Sequence, residues 1–173
     1  MTVLMADWSM SIRPVKLSDA AQIAEIYNFY IETSHATFEL DKVDSFEMEN
    51  RIRETFQKNY PFFVCEENEN ILGYAYGRQF RPRRAYIHSI EVSVYIKNGA
   101  EGKGIGSSLY QKLFAEILQR DFHAIIAGIS LPNDASIKLH EKFGFEKVAH
   151  FREVGYKFGR WIDVGYWERL SRK

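Results

Sequence analysis

The chain has a single cysteine, Cys65, so it cannot close an internal disulfide. That residue follows Phe62-Phe63-Val64 and reads as a buried strand position, not a nucleophile. The default setting is then a reducing, cytoplasmic one. Net charge is also missing: 23 Lys and Arg balance 23 Asp and Glu, which excludes a broad basic footprint for nucleic acid or an anionic membrane. No apolar run approaches the roughly 20 residues needed to span a bilayer. The N-terminus carries Asp7 and no basic segment, so it is not a secretory signal. Residues 1–10, which hold Met1, Met5 and Met10, are expected to be a disordered leader, with 11–173 forming one domain. His35, His123 and His150 are not spaced as metal ligands, and no metal is expected. There are no repeats and no low-complexity segment.

What is present suits a substantial core: 46% of 173 residues are hydrophobic and 15% aromatic. Ser11 to Val15 reads as a strand, placed at a sheet edge by Pro14. Ser18 or Asp19 would cap a helix whose apolar positions are Ile23, Ile26, Tyr27 and Tyr30. After a loop from Glu32 to Lys42, Asp44 and Glu47 form a capping-box pair for a second helix, with Met48, Ile52 and Phe56 as its buried stripe. Phe62–Glu66 and Ile71–Phe80 form a hairpin, in which Gly73 and Gly77 imply bulges or close backbone approach. A strand from Ile87 to Ile96 leads through a polar loop into Glu101-Gly102-Lys103-Gly104-Ile105-Gly106 and a helix with Leu109, Leu113 and Ile117 on one stripe. Ala124–Ile129 is a continuous apolar run, expected to be buried on both faces and parallel to, or splayed from, the preceding strand. Asn133 or Asp134 caps a helix that runs to Phe143 and stops at Gly144. Phe145–His150 and Asp163–Leu170 close the chain around a turn-rich Gly155–Trp161. The order β-α-α-β-β-β-α-β-α-β-β implies a mixed α/β domain: a central, mixed, twisted sheet with helices on both faces.

Strand, glycine-rich turn and helix together make an anion site, because permissive glycines gather N–H groups at a helix N-terminus. A P-loop is excluded, since no Gly-Lys-Ser/Thr follows. A dinucleotide fingerprint lacks its third glycine, which is Ser107 here. On the central strand Ser89, Glu91, Ser93 and Tyr95 share one face and Ile90, Val92, Val94 and Ile96 the other. A carboxylate at mid-strand among apolar neighbours is costly unless it has a partner or a task. A partly desolvated carboxylate is a stronger base, and Glu91 could serve as one, or be satisfied by a nearby arginine.

The loop resembles the pyrophosphate loop of the GNAT superfamily, Arg/Gln-x-x-Gly-x-Gly/Ala, with Glu101 standing where Arg or Gln is usual. The whole chain from Ile12 to Leu170 is similar to the phosphinothricin, methionine sulfoximine and methionine sulfone N-acetyltransferase family. Ile23–Tyr30 with Ala36-Thr37-Phe38, Phe80-Arg81-Pro82-Arg83 with Ile90–Tyr95, Leu131–Glu141 before Phe143-Gly144-Phe145, and Gly155–Val164 carry that resemblance. It implies a GNAT fold and transfer of acetyl from acetyl-CoA to the α-amine of a small amino-acid analogue, with Glu91 as general base. It implies cofactor contacts at Val92, Ser93, Val94, Glu101, Gly102, Lys103, Gly104, Ile105, Gly106, Asn133 and Ser136. It implies substrate contacts at Phe80, Arg81, Ser89, Ile90 and Glu91, with Lys157, Arg160 and Trp161 as a further wall. His140 stands where many members have a tyrosine and would protonate the leaving thiolate; packing alone is the other explanation for it. A homodimer is the family expectation. Two alternatives stay open: a GNAT enzyme for other amines, such as polyamines or protein N-termini, and a non-catalytic acyl-CoA sensor, which Glu101 alone favours.

Overall fold

The structure, a computed structural model, describes residues 10–171, so the expected leader lies outside the described residues except for Met10. The elements run β1 (Ser11–Pro14), α1 (Ala20–Thr33), α2 (Ser45–Gln57), β2 (Phe62–Glu67), β3 (Asn70–Gln79), β4 (Ser89–Ile96), α3 (Ile105–Ile117), β5 (Ala124–Ser130), α4 (Asp134–Lys142), β6 (Glu146–Lys157) and β7 (Arg160–Leu170). The strands form one seven-stranded sheet in the order β1-β2-β3-β4-β5-β7-β6. Every neighbouring pair is antiparallel except β4 and β5, which are parallel as their crossover through α3 requires. Pro14 does sit on an edge strand, where its missing N–H costs no ladder bond.

Helices cover both faces. On one, Ile105, Leu109, Leu113 and Ile117 of α3 are all at most 2% exposed and pack with Ile90, Val92, Ile125 and Ala127. On the other, α1 and α2 pack Ile23, Ile26, Tyr27, Met48 and Ile52 against Val64, Ile71 and Tyr74. Each such buried aliphatic side chain contributes about 1.5–3 kcal/mol relative to exposure. Gly77 is required by the close approach of β3 to β4: a Cβ there would lie 2.4 Å from Ile90 Cδ1. Gly73 is likewise a close approach, and it also flanks the register shift of the β2–β3 ladder, where Cys65 pairs with Gly73 and Glu66 with Ile71; Gly77 marks no bulge.

Several local expectations are corrected. Asp19 does not cap α1 with its side chain; its carboxylate takes two hydrogen bonds from Arg13 (2.8 and 3.0 Å) and one from the Lys16 N–H (2.7 Å). Asp44 does cap α2, accepting from the Glu47 N–H at 2.7 Å, but the Glu47 carboxylate goes to Arg51 instead of back to the cap. Phe56 is 48% exposed, because α2 buries only Met48 and Ile52. The segment expected to be rich in turns is mostly strand: β6 and β7 extend to Lys157 and Arg160, and only Phe158 and Gly159 make the turn, both at positive φ. β5 is fully buried on one face, by Ile125, Ala127 and Ile129, and only partly on the other, where Ala124 and Ile126 are half-buried, Gly128 is exposed and Ser130 is buried.

Candidate active site

The site is a seam in the sheet. β4 and β5 pair only over Ser89–Glu91 and Ala124–Ile126. Beyond that, β4 stays bonded to β3 as far as Ile96, and β5 to β7 as far as Ser130. The two strands therefore part, and the facing edges of 92–96 and 127–130 are left without strand partners, with the Tyr30 hydroxyl taking both backbone groups of Ile96. Unpaired backbone N–H and C=O groups are strong, obligatory bonding groups, so such an edge is suited to an extended ligand.

A cleft of about 390 Å³ follows the seam on the α3 and α4 side. Gly102 and Gly104 hold its floor at φ +76° and +79°, which an L side chain rarely adopts. Gly104 is the N-cap of α3 and offers no side chain, so the orphan N–H groups of the first turn are open to a ligand. Together with the helix dipole they form an anion cradle. Glu101 is turned back on its own loop, where its carboxylate accepts the Gly99 N–H at 2.7 Å. At the other wall Asn133 caps α4, its carbonyl oxygen accepting the Ser136 N–H at 3.1 Å.

Tyr110 and His140 meet in this cleft. His140 Nδ1 lies 2.7 Å from the Ser136 carbonyl oxygen, which can only accept, so Nδ1 carries the proton. Nε2 of the neutral ring then accepts from the Tyr110 hydroxyl at 2.8 Å. Burial lowers the His140 pKa, partly opposed by the bond to Ser136, and raises that of Tyr110. Both groups are accordingly neutral, and the only N–H of His140 is committed.

Through the seam lies a second chamber, of about 580 Å³, between the loop before α2 and the β6–β7 hairpin. Ala36, Ser93, Tyr95, Gly128 and Ser130 line both spaces, so they communicate across the gap. Glu91 lies in the second chamber with 17% of its side chain exposed. Its Oε2 accepts from Arg78 Nε at 3.0 Å, and Arg78 is its direct partner in the β3–β4 register. Its Oε1 lies 3.7 Å from where a Cβ at Gly128 would be. Much of the wall is aromatic and apolar, from Tyr27, Phe38, Tyr95, Phe151 and Tyr166 with Val154 and Val164, and Glu39 and Arg78 are charged groups on it. The loop at 34–37 is tied down by buried Lys157, whose ammonium donates to the carbonyls of Ser34 and Thr37 at 2.8 Å each. Burial lowers the Lys157 pKa. His35, on the same loop, sits 3.0 Å from the Ser130 hydroxyl; burial and then the charge of Arg160 lower its pKa.

The fold brings Val92, Ser93, Val94, Glu101, Gly102, Gly104, Ile105, Gly106, Asn133, Ser136 and His140 to one cleft. Lys103 is exposed and does not line it. Phe80 and Arg81 line a neighbouring polar groove that meets the chamber at Tyr27, Glu39, Tyr76 and Arg78, with the Arg81 guanidinium 4.8 Å from the Phe80 ring. Ser89 and Ile90 line neither space; Ile90 is fully buried under α3. Trp161 is 63% exposed on the hairpin and Arg160 is exposed beside it. Sequence reading missed Tyr110, Arg78, Gly128 and Ser130. Tyr110 stands one residue after Leu109 in the buried stripe and could have been found from that; Arg78 is legible only once the strand register is known.

Among the described residues no group of three or more His, Cys, Asp or Glu could hold a metal. No helix among them is long and apolar enough to cross a membrane. Residues 12–165 match the family described as acetyltransferase (GNAT) domain. A phosphinothricin N-acetyltransferase of Streptomyces coelicolor is 39% identical over 166 residues, covering 92% of this chain and 95% of that protein. An L-methionine sulfoximine/L-methionine sulfone acetyltransferase of Salmonella typhimurium is 37% identical, covering 91% and 92%. The crystal structure of a GNAT superfamily phosphinothricin acetyltransferase from Sinorhizobium meliloti in complex with acetyl-CoA superposes with a TM-score of 0.90 at 33% identity, covering 93% of this chain and 88% of that one.

Proposed function

The chain belongs to the GNAT acetyltransferase family, and on that premise we propose that it transfers the acetyl group of acetyl-CoA to the α-amine of a small amino-acid analogue of the phosphinothricin, methionine sulfoximine and methionine sulfone type. The observation that carries this is the seam. One side of it offers an anion cradle and an unpaired strand edge, and the other an open, largely aromatic chamber with a carboxylate beside the gap.

The diphosphate rests on the N–H groups at Gly102–Gly106 and the start of α3. The pantetheine arm lies along 92–94, with Asn133 and Ser136 on its far side. The thioester then reaches the gap at Gly128. Glu91 takes a proton from the acceptor ammonium through Oε1, directly or by one water, and the neutral amine attacks the carbonyl carbon. The carbonyl oxygen, as it gains charge, accepts a backbone N–H near Val92; one such oriented donor is worth about 3–4 kcal/mol. When the C–S bond breaks, the thiolate takes its proton from solvent as CoA leaves, because the one Tyr110 hydroxyl proton is given to His140 Nε2 and burial makes it a weaker acid. His140 then acts by holding Tyr110, since its own N–H is bound to Ser136. Holding amine and thioester together supplies a large part of the rate. Arg81 and Phe80 flank the acceptor's approach through the neighbouring groove, which shares Tyr27, Glu39, Tyr76 and Arg78 with the chamber.

The same proposal includes a homodimer in the cytoplasm. Edge strand β6 and its hairpin bare Val148, Phe151, Val154, Tyr156 and Trp161, which gives such contact an apolar surface.

The test is thiol release from acetyl-CoA with methionine sulfone, methionine sulfoximine, phosphinothricin, common amino acids and spermidine, by wild type and Glu91→Gln. Turnover on the first three with a loss of about 10²–10⁴ in the variant is expected for a general base. Turnover that survives Glu91→Gln within a few-fold would remove Glu91 from the role. Turnover confined to spermidine would remove the amino-acid acceptor.

A further inference from the structure

Resting on that function, a second group in the chamber has no task yet. Arg78 faces Glu91 across the β3–β4 register and spends one nitrogen on it, Nε to Oε2 at 3.0 Å. Its two terminal nitrogens have no hydrogen-bond partner among the described residues, and the side chain lines both the chamber and the neighbouring groove. Its side chain is 56% exposed; partial desolvation works against its charge, but Tyr76 and the Glu91 carboxylate raise its pKa above the ordinary arginine value, so the guanidinium stays charged. The other carboxylate on the chamber wall, Glu39, is already held by Arg51 (2.7 and 3.1 Å) and by the Tyr27 hydroxyl (2.9 Å). It makes no hydrogen bond to Arg78, although the guanidinium's charge reaches it and helps to lower its pKa.

We infer that Arg78 is the residue that selects an α-carboxylate: the Nε–H holds Glu91 while the free Nη edge binds the acceptor's carboxylate. A guanidinium is a rigid planar fork, so the two anions it binds are held at a fixed separation. An α-amino acid carries its ammonium one carbon from its carboxylate. Seating that carboxylate on Nη therefore brings the ammonium beside Glu91, whose Oε1 faces the seam. Arg78 and Glu91 together are complementary to a zwitterion, positive against its carboxylate and negative against its ammonium. An amine with no adjacent carboxylate leaves the fork half used and gains no such alignment. Lysine at this position would keep the charge and lose the fork.

The experiment compares L-methionine sulfone with its carboxamide in wild type, Arg78→Gln and Arg78→Lys, each by thiol release from saturating acetyl-CoA. The carboxamide has the less basic amine, which alters its reactivity equally in every enzyme, so only the change in the acid-to-amide ratio of kcat/KM is read. A charge-assisted carboxylate contact predicts that Arg78→Gln lowers this ratio by about 10–100-fold, mostly through KM for the acid, with Arg78→Lys in between. A ratio unchanged in Arg78→Gln, with acid and amide falling together, would overturn the inference and leave Arg78 as a support for Glu91 alone. Wild type inactive on both acceptors, with acetyl-CoA still bound, would instead overturn the amino-acid acceptor itself and this inference with it.

Discussion

Gly128 offers a perturbation in which stability and activity are expected to move in opposite directions. It sits in β5 at ordinary φ, opposite Tyr166, with its open face on the gap between cleft and chamber. A methyl there would meet Tyr166 Cε1 at 3.4 Å and Cζ at 3.6 Å, which is van der Waals contact without overlap. Alanine also removes the extra freedom that glycine has in the unfolded chain, worth about 0.5–1 kcal/mol. For a chain of this size that raises Tm by about 1–4 °C. The same methyl stands 3.7 Å from Glu91 Oε1, in the space where the proposed mechanism brings amine and thioester together. Displacing reactants by about 1 Å can cost about 10²-fold, so Gly128→Ala is expected to lower kcat/KM by about 10–100-fold, and Gly128→Val by more. Thermal unfolding and thiol release on the same preparations check both halves. Full activity in Gly128→Val would show that the seam is not the passage. A folded-state loss above about 1 kcal/mol in Gly128→Ala would show that the wall is tighter than the 3.4 Å contact implies.

Ile90 was expected from sequence to touch substrate, yet it packs against Gly77; Ile90→Val should cost about 0.5–1.5 kcal/mol in denaturant unfolding with acceptor KM unchanged. Gly77→Ala should cost about 1–3 kcal/mol, and the Ile90→Val background, which lacks Cδ1, should recover part of it, so strict additivity of the pair would refute that contact. His140 has a pKa below its ordinary 6.5 because it is buried, so below that pH the unfolded chain binds a proton the folded one does not. Stability should then fall as pH drops below about 6.5, by at most about 1.4 kcal/mol per pH unit for this one proton, and His140→Asn should flatten that slope. Lys157→Met leaves the carbonyls of Ser34 and Thr37 without their cation and should raise acceptor KM while costing about 1–3 kcal/mol.

The parts that sequence made legible are those where one local rule acts alone. The α3 stripe, the Pro14 edge, the Asn133 cap and the glycine loop each follow from spacing or from a missing atom, and each stands as expected. Phe56 fails because steps of four drift by about 40° per step around a helix of 3.6 residues per turn, and α2 has too narrow a contact to follow. α3 keeps the same spacing buried because it also covers Tyr110 and Phe114. The apolar run in β5 was read as doubly covered, but Gly128 has no side chain to show which way it faces. Arg78 was invisible for a different reason. Nothing near it in the chain marks it, and only pairing across the β3–β4 register sets it against Glu91.

The parting of β4 and β5 also bears on solubility. A bared strand edge normally recruits other strands and is blunted by charge, proline or a covering loop. Here two bared edges face each other inside the molecule, with α3 and α4 on one side and the 34–37 loop and β6–β7 hairpin on the other. A foreign strand would have to enter that gap end-on, whereas a thin ligand can lie down in it. The protein thus keeps open, for its cofactor, the kind of surface that on the rim of a sheet would promote aggregation.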